Sequence, residues 1–80
     1  MASRRFTAHA RRQMERRSIT ATEVDEALAA AETSYPSAQH PDTRLVVLGT
    51  TNAGRRLKVV VAQDDPHYVI TAAARDEDDE

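Results

Sequence analysis

The hydrophobic pattern of this chain changes its period once, near Glu32, and this change restricts the fold more than any other feature. Before Glu32, apolar residues recur at spacings of three and four, which is typical of helices. After it, runs rich in valine and leucine are separated by turn residues, which is typical of strands. Helices followed by a block of strands favour an α+β fold over alternating α/β units.

Two helices are expected in the first part of the chain. The first should begin between residues 3 and 8 and end near Arg17, with Phe6, Ala10 and Met14 on one side. The second begins at a capping-box signature, S/T-x-x-E, formed by Thr20 and Glu23. Only Ser18 and Ile19 lie between the helices, so we expect a tight helical hairpin.

The second part of the chain is expected to form an antiparallel sheet. Strand-like segments lie at residues 44–50, 56–63 and 67–74, with a short edge strand near residues 33–35. The turn at residues 52–54 should join the first two long segments as a hairpin. The predicted architecture is an N-terminal two-helix hairpin packed on a three- to four-stranded antiparallel meander sheet, in a single domain spanning residues 1–75.

The net charge of −2 conceals two oppositely charged ends. Residues 1–17 contain six arginines against Glu15 alone, whereas residues 76–80 are all acidic and are expected to be a disordered tail. A dense basic stripe is the electrostatic footprint of a surface that binds nucleic acid or an acidic partner. The alternative is that these arginines form only the solvated side of the first helix.

Composition excludes several kinds of site. The chain has no cysteine, which excludes disulfides and thiolate metal sites. No carboxylate–histidine spacing suggests a metal site, and no apolar run approaches the roughly 20 residues that span a bilayer. The basic first residues are not followed by the apolar stretch of a secretory signal. We expect a cytoplasmic protein without metal, cofactor or membrane association, either a monomer or a weak homodimer.

Two segments of the chain resemble an uncharacterised family of small bacterial proteins. They are HARRQMERRSITATEVDEAL (residues 9–28) and Gly49 followed by GRRLKVVVAQ (54–63) and YVITA (68–72). The family is known as a domain of unknown function and is grouped with RelE-like and BrnT-like toxins. The resemblance implies a RelE/BrnT-like fold. Toxins of this type often cut RNA and are neutralised by an antitoxin, so RNA and a cognate antitoxin are the partners it implies.

Three positions depart from the pattern of that family. Gln13 stands where the family usually has a basic residue, Ser18 where it has glycine, and Ala73 where it has an aromatic residue. The loss of a cation at Gln13 favours a binding module without catalysis, if that position contacts RNA.

Metal-free RNA cleavage needs a base, an acid and cations that stabilise the charge on the phosphate. His9 is the candidate acid or base, because histidine titrates near neutral pH. Lys58 lies in an apolar strand on the same side as Arg56, while Leu57, Val59 and Val61 take the opposite side. With Arg75, Lys58 would complete a catalytic cluster like that of RelE-like sites. The candidate nucleic-acid-binding residues are Arg11, Arg12, Arg16, Arg17 and Arg56. The alternatives are a structural His9, packed against the strands, and a solvated sheet face.

The leading hypothesis is therefore a toxin-type, metal-free RNA endonuclease. The second is a non-catalytic module with the same fold that binds nucleic acid or a protein. A third is a self-associating structural protein, because the strands leave at least one sheet edge open to pairing.

Overall fold

The computed structural model describes residues 4–75. The elements in chain order are β1 (Arg5–Phe6), α1 (Ala8–Arg17), α2 (Ala21–Ala29), β2 (Ala31–Pro36), β3 (Arg44–Thr50), β4 (Arg56–Ala62) and β5 (Asp65–Ala74). Neither described helix is long and apolar enough to cross a bilayer. The predicted disordered tail, residues 76–80, lies outside the described residues.

The sheet has five strands in the order β1-β5-β4-β3-β2 and is mixed. Strands β2 to β5 pair antiparallel in sequence order, while β1 pairs parallel with β5. The prediction of a wholly antiparallel sheet of three to four strands was therefore wrong in strand count and in direction. The physical reason is the length of β1, since a strand of two residues leaves no alternation in the sequence.

Helix α1 begins at Ala8, later than the earliest predicted start, because Thr7 caps it. The Thr7 hydroxyl accepts a hydrogen bond from the Ala10 amide and donates one to the Ile70 carbonyl, both at 2.9 Å. The same residue thus ends β1, starts the helix and fixes it to β5. Phe6 lies in β1, although its spacing from Ala10 predicts a position in the helix.

The capping box that was predicted for α2 is confirmed. The Glu23 amide donates to the Thr20 hydroxyl at 3.1 Å, and the Thr20 amide donates to the Glu23 carboxylate at 2.9 Å. The helix ends at Ala29, and β2 begins at Ala31, so the edge strand is longer than the sequence indicated.

The core lies between the helices and one face of the sheet. Leu57, Val59 and Val61 of β4 are fully buried there, as their alternation predicted. Ala10 and Met14 of α1, with Val24 and Ala27 of α2, pack into the same cluster. Lys58 and Val60 consequently point to the opposite face of the sheet.

Helix α1 lies beside β5 and borders both faces of the sheet. Strand β1 pairs only with Tyr68 and Val69 of β5, so α1 rather than a strand packs along the rest of it. One side of α1 enters the core, and the other side carries His9 and Gln13 toward the opposite sheet face. This position makes α1 a wall for that second face.

Candidate functional site

The second face of the sheet forms the floor of a cleft of about 610 Å³, a size typical of ligand sites. Helix α1 is one wall, and the end of β2 with the loop after it is the other. The lining residues are His9, Gln13, Arg17, Tyr35, Ser37, Ala38, Gln39, Arg44, Val46, Lys58, Val60, Thr71 and Ala73.

The floor follows from the strand register. Tyr35 pairs with Val46, Val46 with Val60, and Val60 with Thr71, so one row of side chains crosses four strands. A parallel row joins Lys58 to Ala73. The centre of the floor is therefore apolar, and it lies between polar walls.

Three cations line this cleft: Arg17 at the end of α1, Arg44 at the start of β3, and Lys58 in β4. None of the described residues that line it is acidic. Outside the cleft, carboxylates pair with arginines, as in Arg4–Asp25, Arg5–Asp65, Arg55–Glu23 and Arg75–Glu32. The cleft thus concentrates positive charge, which attracts anionic ligands.

His9 is exposed on the α1 wall, four residues before Gln13. The Gln13 side-chain nitrogen lies 3.4 Å from His9 Nε2, within hydrogen-bonding distance. The Gln13 carbonyl oxygen is buried and has no hydrogen-bond partner among residues 4–75. The imidazole therefore lines the cleft beside an amide whose nitrogen has a partner and whose oxygen has none among residues 4–75.

Arg55, to which no sequence motif points, holds the end of α1 in place. Its guanidinium donates to the Arg17 carbonyl at 2.7 Å and to the Ser18 carbonyl at 2.9 Å, and it lies 3.5 Å from Glu23. The last carbonyls of a helix lack partners within it, so a cation there is favourable. Arg55 thereby fixes the position from which the Arg17 side chain enters the cleft.

The structure brings together His9, Lys58 and Arg17 from the predicted site. The other predicted arginines of α1 are exposed and do not line the cleft: Arg11, Arg12 and Arg16. Arg56 is exposed and also lies outside the lining. The predicted cluster is therefore assembled only in part.

Arg75 also lies outside the cleft. It donates to Glu32 at 3.3 Å and to the Gly49 carbonyl at 3.2 Å. The Thr50 hydroxyl, followed by Arg75, holds the pKa of Glu32 below its ordinary value. Arg75 thus joins the end of β5 to β2 and β3, and the geometry gives no support to a catalytic role for it.

Arg44 is the cleft cation that sequence reasoning missed. It begins β3 and pairs with Ala62. Since Lys58, Val60 and Ala62 alternate along β4, the same alternation places Arg44 on their face. That signal was present in the sequence, but using it required the register of the β3–β4 hairpin.

Among residues 4–75, no group of three or more histidine, cysteine, aspartate or glutamate side chains could hold a metal ion. Comparison with curated proteins finds no match, and comparison with solved structures finds none. The family model described as Domain of unknown function (DUF4258) matches residues 6–74, which is most of the chain. The chain therefore belongs to the DUF4258 family.

Proposed function

We propose that this protein is a metal-free RNA endonuclease of the toxin type, and that the cleft binds a phosphodiester of single-stranded RNA. The observation that supports this most is the lining itself. It combines one imidazole with three cations and, among the described residues, no carboxylate. Such a set suits a phosphate in RNA, because arginine and lysine hold its oxygens and histidine exchanges protons near neutral pH.

In this reaction the ribose 2′-oxygen attacks the adjacent phosphorus and loses its proton, while the bond to the 5′-oxygen breaks and that oxygen gains a proton. The products are a 2′,3′-cyclic phosphate and a 5′-hydroxyl. His9 acts as the base or as the acid, and water exchanges the other proton. Arg17, Arg44 and Lys58 stabilise the charge that builds up on the phosphate oxygens.

The family that the two segments resemble is grouped with RelE-like and BrnT-like toxins, and this grouping supports the same function and adds a partner. A cognate antitoxin would neutralise the enzyme by covering the cleft. Its recognition would require an acidic or extended segment that complements the cationic lining.

A second candidate is a module that binds RNA in this cleft without cutting it. Gln13 favours this alternative, because it places a neutral amide next to His9 where the family pattern usually has a cation. The loss of a cation near the phosphate weakens stabilisation of the transition state more than it weakens binding of the uncut RNA.

Cleavage is tested by incubating the purified protein with labelled RNA of mixed sequence in EDTA, beside His9→Ala and His67→Ala. His67 is also exposed but does not line the cleft, so it is the matched control. We expect cyclic-phosphate ends from the wild type and from His67→Ala. His9→Ala should be slower by about 100-fold or more. RNA binding without fragments would favour the binding module, and neither binding nor cleavage would reject both proposals.

The location of the site is tested with two double variants that remove the same charge. Arg17→Gln with Lys58→Gln changes the cleft, and Arg12→Gln with Arg16→Gln changes the exposed side of α1. The first pair should weaken RNA binding more than the second. It should also reduce the slope of log K against log salt concentration by roughly 0.7 per lost phosphate contact. Equal effects of the two pairs would place binding on the whole basic surface instead.

A further inference from the structure

Tyr35 forms part of the cleft wall that faces α1, and its side chain remains largely open to solvent. It is 45% exposed in β2, an edge strand whose residues are all exposed. A single exposed aromatic residue is common on protein surfaces. Tyr35 differs from such a residue because its register places it at one end of the row of side chains that forms the cleft floor.

The other tyrosine of the chain provides an internal comparison. Tyr68 is 37% exposed, but its ring is covered by the Arg5 guanidinium, whose central carbon lies 5.2 Å from the ring centre. Tyr68 does not line the cleft. Tyr35 has no cation–π partner among residues 4–75 and is the one tyrosine in the cleft lining.

The distance across the floor from Tyr35 to Thr71 indicates which part of a bound ligand would contact Tyr35. From Tyr35 to Thr71 the row crosses three inter-strand steps, which is roughly 14 Å at the usual strand spacing. A phosphate held near His9 and Arg17 on the opposite side leaves the floor at Val46 and Val60 for an uncharged, flat group. The apolar floor next to Tyr35 therefore complements a ring.

We infer that Tyr35 forms a nucleobase subsite, in which an unpaired base of RNA stacks on its ring above Val46 while the adjoining phosphates contact the cationic residues of the cleft. This inference rests on the proposed function and names its substrate class as single-stranded RNA. Bases in a duplex are stacked on their neighbours, whereas unpaired bases present a free face to aromatic side chains. Arg44 lies on the same face of the sheet two residues before Val46, so a phosphate beside the stacked base meets its guanidinium.

The test uses an oligonucleotide of about six 2′-O-methyladenosines, which lacks the hydroxyl needed for cleavage, and an abasic backbone of the same length. The chain has two tyrosines and no tryptophan. Tyr68→Phe therefore leaves Tyr35 as the fluorescent residue, and Tyr35→Phe leaves Tyr68. We expect the adenosine oligonucleotide to quench the fluorescence of Tyr68→Phe, and to leave that of Tyr35→Phe unchanged.

Affinities provide the second readout. Tyr35→Ala should bind the adenosine oligonucleotide about 5- to 100-fold more weakly than the wild type, whereas Tyr68→Ala should bind it equally well. Tyr35→Phe should retain the affinity, because a phenyl ring also stacks. The abasic backbone should bind weakly to the wild type and to Tyr35→Ala alike.

The possible failures are distinguishable. The adenosine oligonucleotide could bind in a salt-sensitive way without quenching Tyr35 and without depending on it. This result would overturn the subsite while leaving RNA binding intact. Equal affinity for the abasic backbone would do the same. No binding of either probe to the wild type would overturn the proposed function, and the subsite with it.

Discussion

Ser18 determines how the chain leaves α1. It has φ 55° and ψ 44°, and it is the one residue other than glycine with positive φ among residues 4–75. A side chain in this left-handed conformation costs roughly 1–2 kcal/mol, because Cβ approaches the carbonyl oxygen. The same conformation directs the chain into the turn before Thr20 and presents the Ser18 carbonyl to Arg55.

Replacing Ser18 with glycine should therefore stabilise the protein. The strain removed exceeds the extra entropy of glycine in the unfolded chain, so the free energy of unfolding should rise by about 0.5–1 kcal/mol. The control is Ser34→Gly in β2, where φ is not positive, which should lower it by about 0.5–1 kcal/mol. Urea denaturation measures both, and a loss of stability in Ser18→Gly would contradict the strain argument.

Glu32 gives a pH-dependent contribution at the level of a single residue. Its folded-state pKa is lowered from 4.5, first by the Thr50 hydroxyl and then by Arg75. Because the folded state favours the charged carboxylate, this stabilisation is present above pH 4.5 and is lost as the pH falls through the lower, folded-state pKa. An NMR titration of the Glu32 carboxyl should show a midpoint below 4.5 that rises in Thr50→Val.

The control for that titration is Thr33→Val, which changes a neighbouring threonine that does not bind Glu32. It should leave the midpoint where it is in the wild type. A midpoint that stays unchanged in Thr50→Val would show that the hydroxyl does not hold the carboxylate.

Helix α2 and strand β3 meet with almost no space between them. A Cβ on Gly49 would lie 1.9 Å from the Ala27 carbonyl oxygen, so the two backbones are in direct contact at that point. Gly49 lies in β3, which also contributes Val46 to the cleft floor and Val47 to the core. The distance between these two elements therefore affects both the stability of the core and the shape of the site.

Gly49→Ala should lower the free energy of unfolding by about 3 kcal/mol, at the upper end for overpacking, because backbone atoms must move apart. Gly54→Ala is the matched control. It has open space around it but a φ of 92°, so its cost should be only about 1–2 kcal/mol of conformational strain. Thermal unfolding followed by circular dichroism compares them. A Gly49→Ala protein as stable as Gly54→Ala would contradict a close helix–strand contact.

What the sequence could predict also differs from element to element. The capping box of α2 and the alternation of β4 are local signals, so both were predicted correctly. Strand β1 exists only because it pairs with Tyr68 and Val69, far along the chain, and its two residues contain no period of their own.

The site shows the same division between local signals and contacts that are distant in sequence. The face of Lys58 followed from alternation, whereas the partner of Arg75 is Glu32, 43 residues away, which no local pattern indicates.

At the scale of the whole molecule, net charge and local charge have opposite signs. The chain has a net charge of −2, while the lining of the cleft includes three cations and, among the described residues, no acid. Arg4, Arg5 and Arg75, which lie outside the cleft, pair with carboxylates. Any attraction of RNA must therefore come from the arrangement of charges in the cleft, and not from the total charge of the molecule.

Gln13→Lys tests this arrangement, because it adds a cation beside His9 and replaces an amide whose oxygen is buried without a partner among residues 4–75. We expect tighter binding of the uncleavable oligonucleotide. The slope of log K against log salt concentration should become steeper by roughly 0.7, the value for one added phosphate contact on a single strand. Asn52→Lys makes the same change of charge at an exposed position outside the cleft and should have little effect. If both variants bind equally tightly, affinity follows net charge, and the cleft is not the binding site.

If Gln13→Lys also cleaves RNA faster, the neutral residue at position 13 limits catalysis in this protein, because the added charge then stabilises the transition state more than the bound RNA.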